Sequence, residues 1–131
     1  MTKVRTIYNG STIRVNSVEN YYANNQIVFD PKTVRGGFNG AILSEESGLI
    51  IGATTLVFPE ANDSNLEIMH LCANDESNER RLVQWAEKYT AMLGRTGLHI
   101  VSNNSALLQR LRQHSDFDSN GSIGSLVKQI G

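Results

Sequence analysis

The stretch Asn65–Gly94, NLEIMHLCANDESNERRLVQWAEKYTAMLG, decides the fold. It reads as a strand, a short polar loop and an amphipathic helix. In Leu66–Ala73 strict alternation places Leu66, Ile68, His70 and Cys72 on one face and Glu67, Met69, Leu71 and Ala73 on the other. On that pattern Glu67 and His70 point to opposite sides, and only a bulge brings them to one site. From about Asn78 to Leu93, Leu82, Trp85, Ala86, Tyr89 and Leu93 recur at helical spacing and form one apolar stripe. Gly94 supplies a left-handed C-cap. The loop between strand and helix, Asn74–Asn78, is where backbone N–H groups and the helix dipole converge on an anion.

Working outward, Phe38–Leu43 and Leu49–Phe58 read as an antiparallel pair joined by Ser44–Gly48. The second of these, LIIGATTLVF, is almost continuous in apolar and β-branched residues, as a central strand covered on both faces requires. Gly52 inside it marks a bulge or a close approach. After the helix, Gly97–Val101 is a short strand, Asn103–Ser105 caps a second helix with Leu107, Leu108 and Leu111 facing inward, and SLVKQI closes the chain as a strand. Near the start, Asn9-Gly10 between β-prone runs predicts a hairpin of Lys3–Tyr8 with Thr12–Val18. The polar segment that follows has room for one or two helical turns, and its Tyr21 and Tyr22 suit a contact surface. The order predicts one α+β domain over 1–131, with helices packed on a mixed, mostly antiparallel sheet.

The chain has 131 residues, a formal net charge of −1, 40% hydrophobic and 19% charged residues. That balance suits a self-sufficient globular core and argues against general nucleic-acid binding, which calls for a basic domain. Cys72 is the single cysteine, so no internal disulfide forms. No apolar run approaches the ~18 residues of a membrane span, and MTKVRTIYNG lacks a secretory signal core. The N-x-S triplets at Asn9, Asn62, Asn103 and Asn120 then follow from the abundance of asparagine, and the expected location is the cytoplasm or a virion. His70, His99 and His114 lack metal-ligand spacing, so no metal is expected.

From Phe38 to the C-terminus, the hairpin ending LIIGATTLVF, the strand LEIMHLCA, the helix after it, GLHIVSNN before the second helix, and the final HSDFDSN with SLVKQIG resemble the acyl-CoA-dependent N-acetyltransferases of the GNAT superfamily, in an abbreviated form. The resemblance implies acetyl-CoA as cofactor where the domain is active. The backbone of Leu71, Cys72 and Ala73 would then meet the pantetheine arm, and Ser77, Asn78, Glu79, Arg80, Arg81 and Asn104 would lie at the phosphate end. Glu67 and His70 would be the candidate general bases on the strand.

The sequence departs from the family in four places. One is the acceptor side, which the family builds largely from two helices between the first and second strands. This chain offers only the polar segment between Val18 and Phe38 for it, so that side is abbreviated or contributed by a partner. The family's pyrophosphate loop has the form Gln/Arg-x-x-Gly-x-Gly/Ala, whereas Ala73–Arg81 contains no glycine and carries Asp75, Glu76 and Glu79. Each acid is worth ~0.3–1 kcal/mol against a bare helix dipole, and together they occupy a pyrophosphate's electrostatic place. The tyrosine that protonates the leaving thiolate would fall about seven residues past the asparagine that opens the second helix, and those positions hold Arg110 and Leu111. The glycine of the Gly-Phe pair reads as Asp116 before Phe117.

These departures imply a GNAT-like domain without a cofactor, acting as a binding or structural module with a protein partner, a second copy included, and with neither nucleic acid nor membrane. Compact proteins of this type occur in bacteriophages, some of them associated with virion assembly. The alternative is an active acetyl-CoA-dependent N-acetyltransferase of unspecified acceptor. The basic residues Arg110, Arg112 and Lys128 are read either as a contact for an acidic partner or as a solvated face.

Overall fold

The computed structural model describes residues 2–7, 12–28, 39–58, 64–119, 121 and 123–130; for 2–7, 12–15 and 39 it describes the backbone. Chain order is β1 (Thr2–Ile7), α1 (Thr12–Asn24), β2 (Asn39–Glu45), β3 (Ile50–Val57), β4 (Asn65–Ala73), α2 (Glu76–Met92), β5 (Gly97–Val101), α3 (Ser105–His114), β6 (Asp118–Ser119) and β7 (Ser125–Gln129). The strands form one sheet in the order β1-β2-β3-β4-β5-β7-β6. Every pairing is antiparallel except β4 with β5.

The α+β architecture expected from the sequence is present, with one correction near the start. Thr12–Val18 is not the second arm of a hairpin; it opens α1, a helix of 13 residues and thus longer than one or two turns. Asn9-Gly10 lies outside the described residues. Val18 and Tyr22, one helical turn apart, are both fully buried against Ile42 and Ala53, so tertiary burial overrides the weak local β preference. Tyr22 is therefore a core residue and not an exposed contact. The helix ends in a Schellman-type cap, with Ile27 N–H donating to Tyr22 O, Gln26 N–H to Ala23 O, and Gln26 at φ +63.

The helices α2 and α3 cover the opposite face of the sheet. Leu82, Val83 and Ala86 of α2 and Leu107 and Leu111 of α3 pack on Leu66, Ile68, Leu71, Leu98 and Ile100. Trp85 and Tyr89 stack on each other at 5.1 Å and sit partly buried at the border of this core. The central strand β3 is buried along its length, as the apolar run required. Gly52 sits there because a Cβ would come within 3.1 Å of Leu82 Cδ1 and 3.3 Å of Ala73 Cβ.

The second correction concerns β4. Its register with β3 shifts between Thr55 and Leu56, which pair with His70 and Ile68, so Met69 is an extra residue in β4. This bulge inverts the alternation. Leu66, Ile68 and Leu71 all face the α2–α3 core, whereas Cys72 joins the α1 side and His70 lies against the Tyr22 ring at 5.1 Å. Glu67 and His70 thus share the α1 face instead of pointing apart.

Candidate functional site

The parallel pairing of β4 and β5 runs from Asn65–Gly97 to Ile68–Ile100 and stops at the bulge. Beyond it, β4 stays with β3 as far as Ala73, while β5 stays with β7 through Val101 and Ser102 N–H donates to Gly124 O at 2.8 Å. Each strand is held by its outer neighbour, so the two splay apart and open a V-shaped cleft of about 440 Å³. Met69–Ala73 forms one wall and Ile100–Asn104 the other. Glu79 of α2, Leu107 and Arg110 of α3, and Asn25–Ile27 at the end of α1 complete the lining. Gln26 enters this lining as the left-handed residue that caps α1.

At the mouth beside α2, Arg110 holds Glu79 in a bidentate pair: Nε donates to Oε1 and one terminal nitrogen to Oε2, each at 2.9 Å. The Glu79 side chain is 9% exposed and that of Arg110 37%. The hydrogen bonds to Glu79 raise the guanidinium's pKa further above its already high value. The neighbouring loop is likewise bonded to itself. Asp75 caps α2 by accepting from Asn78 N–H at 2.7 Å, and the Asn78 amide donates to Asn74 Oδ1 at 2.7 Å. Glu76 pairs with His114 of α3.

On the floor, His70 lies half-buried with its pKa below the ordinary imidazole value, because desolvation outweighs a favourable contact with the Val28 backbone. Its neutral form, able to accept a proton, is therefore favoured. Cys72 lies 4.0 Å from the Tyr21 hydroxyl, and burial pushes its thiol pKa up, away from thiolate reactivity. Burial likewise pushes up the Tyr21 phenol.

Of the residues singled out in the sequence, His70, Leu71, Cys72, Ala73, Glu79 and Asn104 line the cleft. Asn104 also caps α3 by accepting from Leu107 N–H at 3.1 Å. Glu67 does not line it; its carboxylate lies 3.7 Å from His99 Nδ1. Ser77 and Arg80 are exposed on α2, the Asn78 side chain is turned to Asn74, and Arg81 lies in a groove with Gln84, Trp85 and Lys88. The sequence reading left out Met69, Asn25 and Gln26, and it gave Arg110 no role in the cleft. The count of seven residues from Asn103 that lands on Arg110 was the one available signal. Lys128 pairs with Glu87, so two of the three basic residues read as a contact for an acidic partner already have acidic partners within the chain.

Among the described residues no cluster of His, Cys, Asp or Glu could hold a metal, and no helix is long and apolar enough to cross a membrane.

No protein-family model and no curated protein matches the sequence. Solved structures do match. A GNAT-family acetyltransferase described from Desulfovibrio desulfuricans superposes with a TM-score of 0.77 at 10% identity, covering 100% of both chains. The ribosomal-protein-S18-alanine N-acetyltransferase of Escherichia coli gives 0.76 at 9% identity, over 100% of this chain and 95% of that one. The N-acetylglutamate synthase of Neisseria gonorrhoeae, solved with coenzyme A and N-acetyl-glutamate, gives 0.64 at 17% identity, over 100% of this chain and 35% of that one. The likeness extends over β1 and α1, beyond the last ninety or so residues that carry the resemblance in sequence. At these identities it is a likeness of architecture, and the chain has the fold of the GNAT acetyltransferases.

Proposed function

We propose that this chain is a binding module built on the GNAT fold, with the splayed cleft kept and its phosphate end closed by an internal ion pair. The observation that carries this reading is the Glu79–Arg110 pair. The α2 N-terminus is where backbone N–H groups and the dipole would meet a pyrophosphate. Here a nearly buried carboxylate stands in that mouth, with Asp75 and Glu76 in the turn before it. Among the described residues, Arg110 is the one arginine or lysine that lines the cleft, and it is committed to Glu79. A protein partner, a second copy of this chain included, is the occupant that suits such a module, and assembly, in a virion or elsewhere, is a setting compatible with its asparagine-rich loops.

Calorimetric titration with acetyl-CoA tests the proposal. The expected result is no measurable heat, and a micromolar dissociation constant would overturn it. Replacing the acids (Asp75→Gly with Glu76→Gly) should raise any residual affinity if charge is what keeps the cofactor out.

A second reading, an active N-acetyltransferase, has one observation in its favour: His70 sits in the cleft with its neutral form favoured. In that reading His70 accepts the acceptor's proton, Leu71–Ala73 meets the pantetheine arm, and Asn104 lies on the opposite wall. Release of free thiol from acetyl-CoA in the presence of amines would support it, and loss of that release in His70→Gln would assign the base.

A further inference from the structure

On the sheet face opposite α2 and α3, three side chains from three neighbouring strands form a chain. Ser125 of β7 lies with its Oγ 2.6 Å from His99 Nε2 of β5, and His99 Nδ1 lies 3.7 Å from Glu67 Oε1 of β4. The register makes this arrangement a consequence of the topology. Glu67 is directly beside His99 in the parallel ladder, and Ser125 is two residues along β7 from Val127, the residue opposite His99, and so on the same face. We propose that Ser125, His99 and Glu67 form a nucleophile–base–carboxylate relay that takes a short acyl group from a carboxylic ester.

The order of the groups is what this chemistry needs. A serine hydroxyl is a weak nucleophile until a base within hydrogen-bond reach removes its proton, and the base works best when a third group fixes its tautomer. In the tautomer that carries its proton on Nδ1, His99 turns that N–H toward the Glu67 carboxylate, and its Nε2 accepts from Ser125. The 3.7 Å separation is too long for a hydrogen bond, yet it places the carboxylate where it stabilises an imidazolium. Glu67 is thus a positioning residue, and the groups that touch the ester are Ser125 and His99.

The surroundings fit a held nucleophile. Gly124, at φ +76, precedes Ser125; a Cβ there would come within 2.7 Å of Ser102 O, and Ser102 N–H holds Gly124 O at 2.8 Å. That turn fixes where β7 begins and therefore where Ser125 sits. Ser125 is nearly buried, with 6% of its surface exposed. Its register partner Val101, 55% exposed on the same face, offers an apolar surface beside it for the ester's leaving group.

In the reaction, Ser125 Oγ bonds to the acyl carbon while its proton moves to His99 Nε2. The ester's C–O bond then breaks, and the leaving alkoxide takes that proton. Water attacks the acyl-serine with His99 again as base, releasing the carboxylic acid and restoring the hydroxyl.

The test uses the full chain, a fluorophosphonate probe with adduct mapping by mass spectrometry, and hydrolysis of p-nitrophenyl acetate. An adduct on Ser125 that is lost in Ser125→Ala and slowed about 100-fold in His99→Gln is expected, on the scale of general-base assistance. Glu67→Gln should slow labelling, and Glu67→Asp should restore part of it, which a merely packing role would not do. Circular dichroism checks that each variant folds. An adduct elsewhere, none at all, or labelling of Ser125 that ignores His99 would overturn the proposal. Neither result depends on acetyl-CoA, so the outcome is separate from that of the cleft titration.

Discussion

Arg110 of α3 grips Glu79 of α2 with two hydrogen bonds of 2.9 Å across the mouth of the cleft between β4 and β5. The pair ties the two helices on that face of the sheet together at the point where the fold otherwise leaves an opening. Its partners differ in burial, which makes the two halves unequal. Removing Arg110 leaves a carboxylate that is 9% exposed without its partner; removing the charge of Glu79 leaves a guanidinium that water can reach. We expect Arg110→Ala to cost about 2–3 kcal/mol, below the full value for a deeply buried pair because of that exposure, and Glu79→Gln about 1 kcal/mol. Urea unfolding of both variants checks the inequality, and equal costs would show that the pair is solvent-screened.

His70 gives the stability a pH dependence with a definite sign. Its folded pKa is lowered, first by desolvation, so the unfolded chain takes up a proton at a higher pH than the folded one does. The stability linked to His70 is fully present above the unfolded value of about 6.5, and it falls as pH drops from there to the folded pKa. The difference in unfolding free energy between wild type and His70→Gln should therefore shrink between pH 7.5 and pH 5. A difference that grows on acidification would contradict the assignment.

How much of this was legible beforehand depends on the range of the interactions. The strand-loop-helix of Asn65–Gly94 was readable because Leu82, Ala86 and Gly94 announce helix period and cap within one element. The start was not, because Asn9-Gly10 is a local hairpin signal, whereas α1 exists through contacts of Val18 and Tyr22 with Ile42 and Ala53, which lie far along the chain. The bulge at Met69 is equally silent in sequence, since one inserted residue leaves the composition of β4 unchanged and reverses the direction of His70 and Cys72. Glu79 and Arg110, 31 residues apart, were each visible as charges, but their meeting depends on how α2 and α3 lie on the sheet.

Asp116, where the family's pattern has glycine, adopts φ +58. The left-handed region costs an ordinary residue ~1–2 kcal/mol, and aspartate less because its short side chain tolerates it. Glycine removes that strain but adds freedom to the unfolded chain. We expect Asp116→Gly to stabilise by ~0.5 kcal/mol and Asp116→Val to destabilise by more than 1 kcal/mol. Thermal unfolding of the two variants in parallel gives the order directly.

The hydroxyl of Tyr22 lies 2.9 Å from Thr55 Oγ1, with both residues fully buried, and this bond fastens α1 to the central strand. Burial pushes the phenol's pKa up, so the hydroxyl stays protonated at any pH where the protein folds. Tyr22→Phe removes one partner and leaves the Thr55 hydroxyl to bear its desolvation cost, so a loss of about 1–2 kcal/mol is expected. Thr55→Val alone does the same to Tyr22. The double variant removes both polar groups, and it should be clearly more stable than the sum of the single losses allows, with a coupling of about 1 kcal/mol. Additive losses would mean that each hydroxyl is satisfied independently and that α1 is held by apolar packing alone.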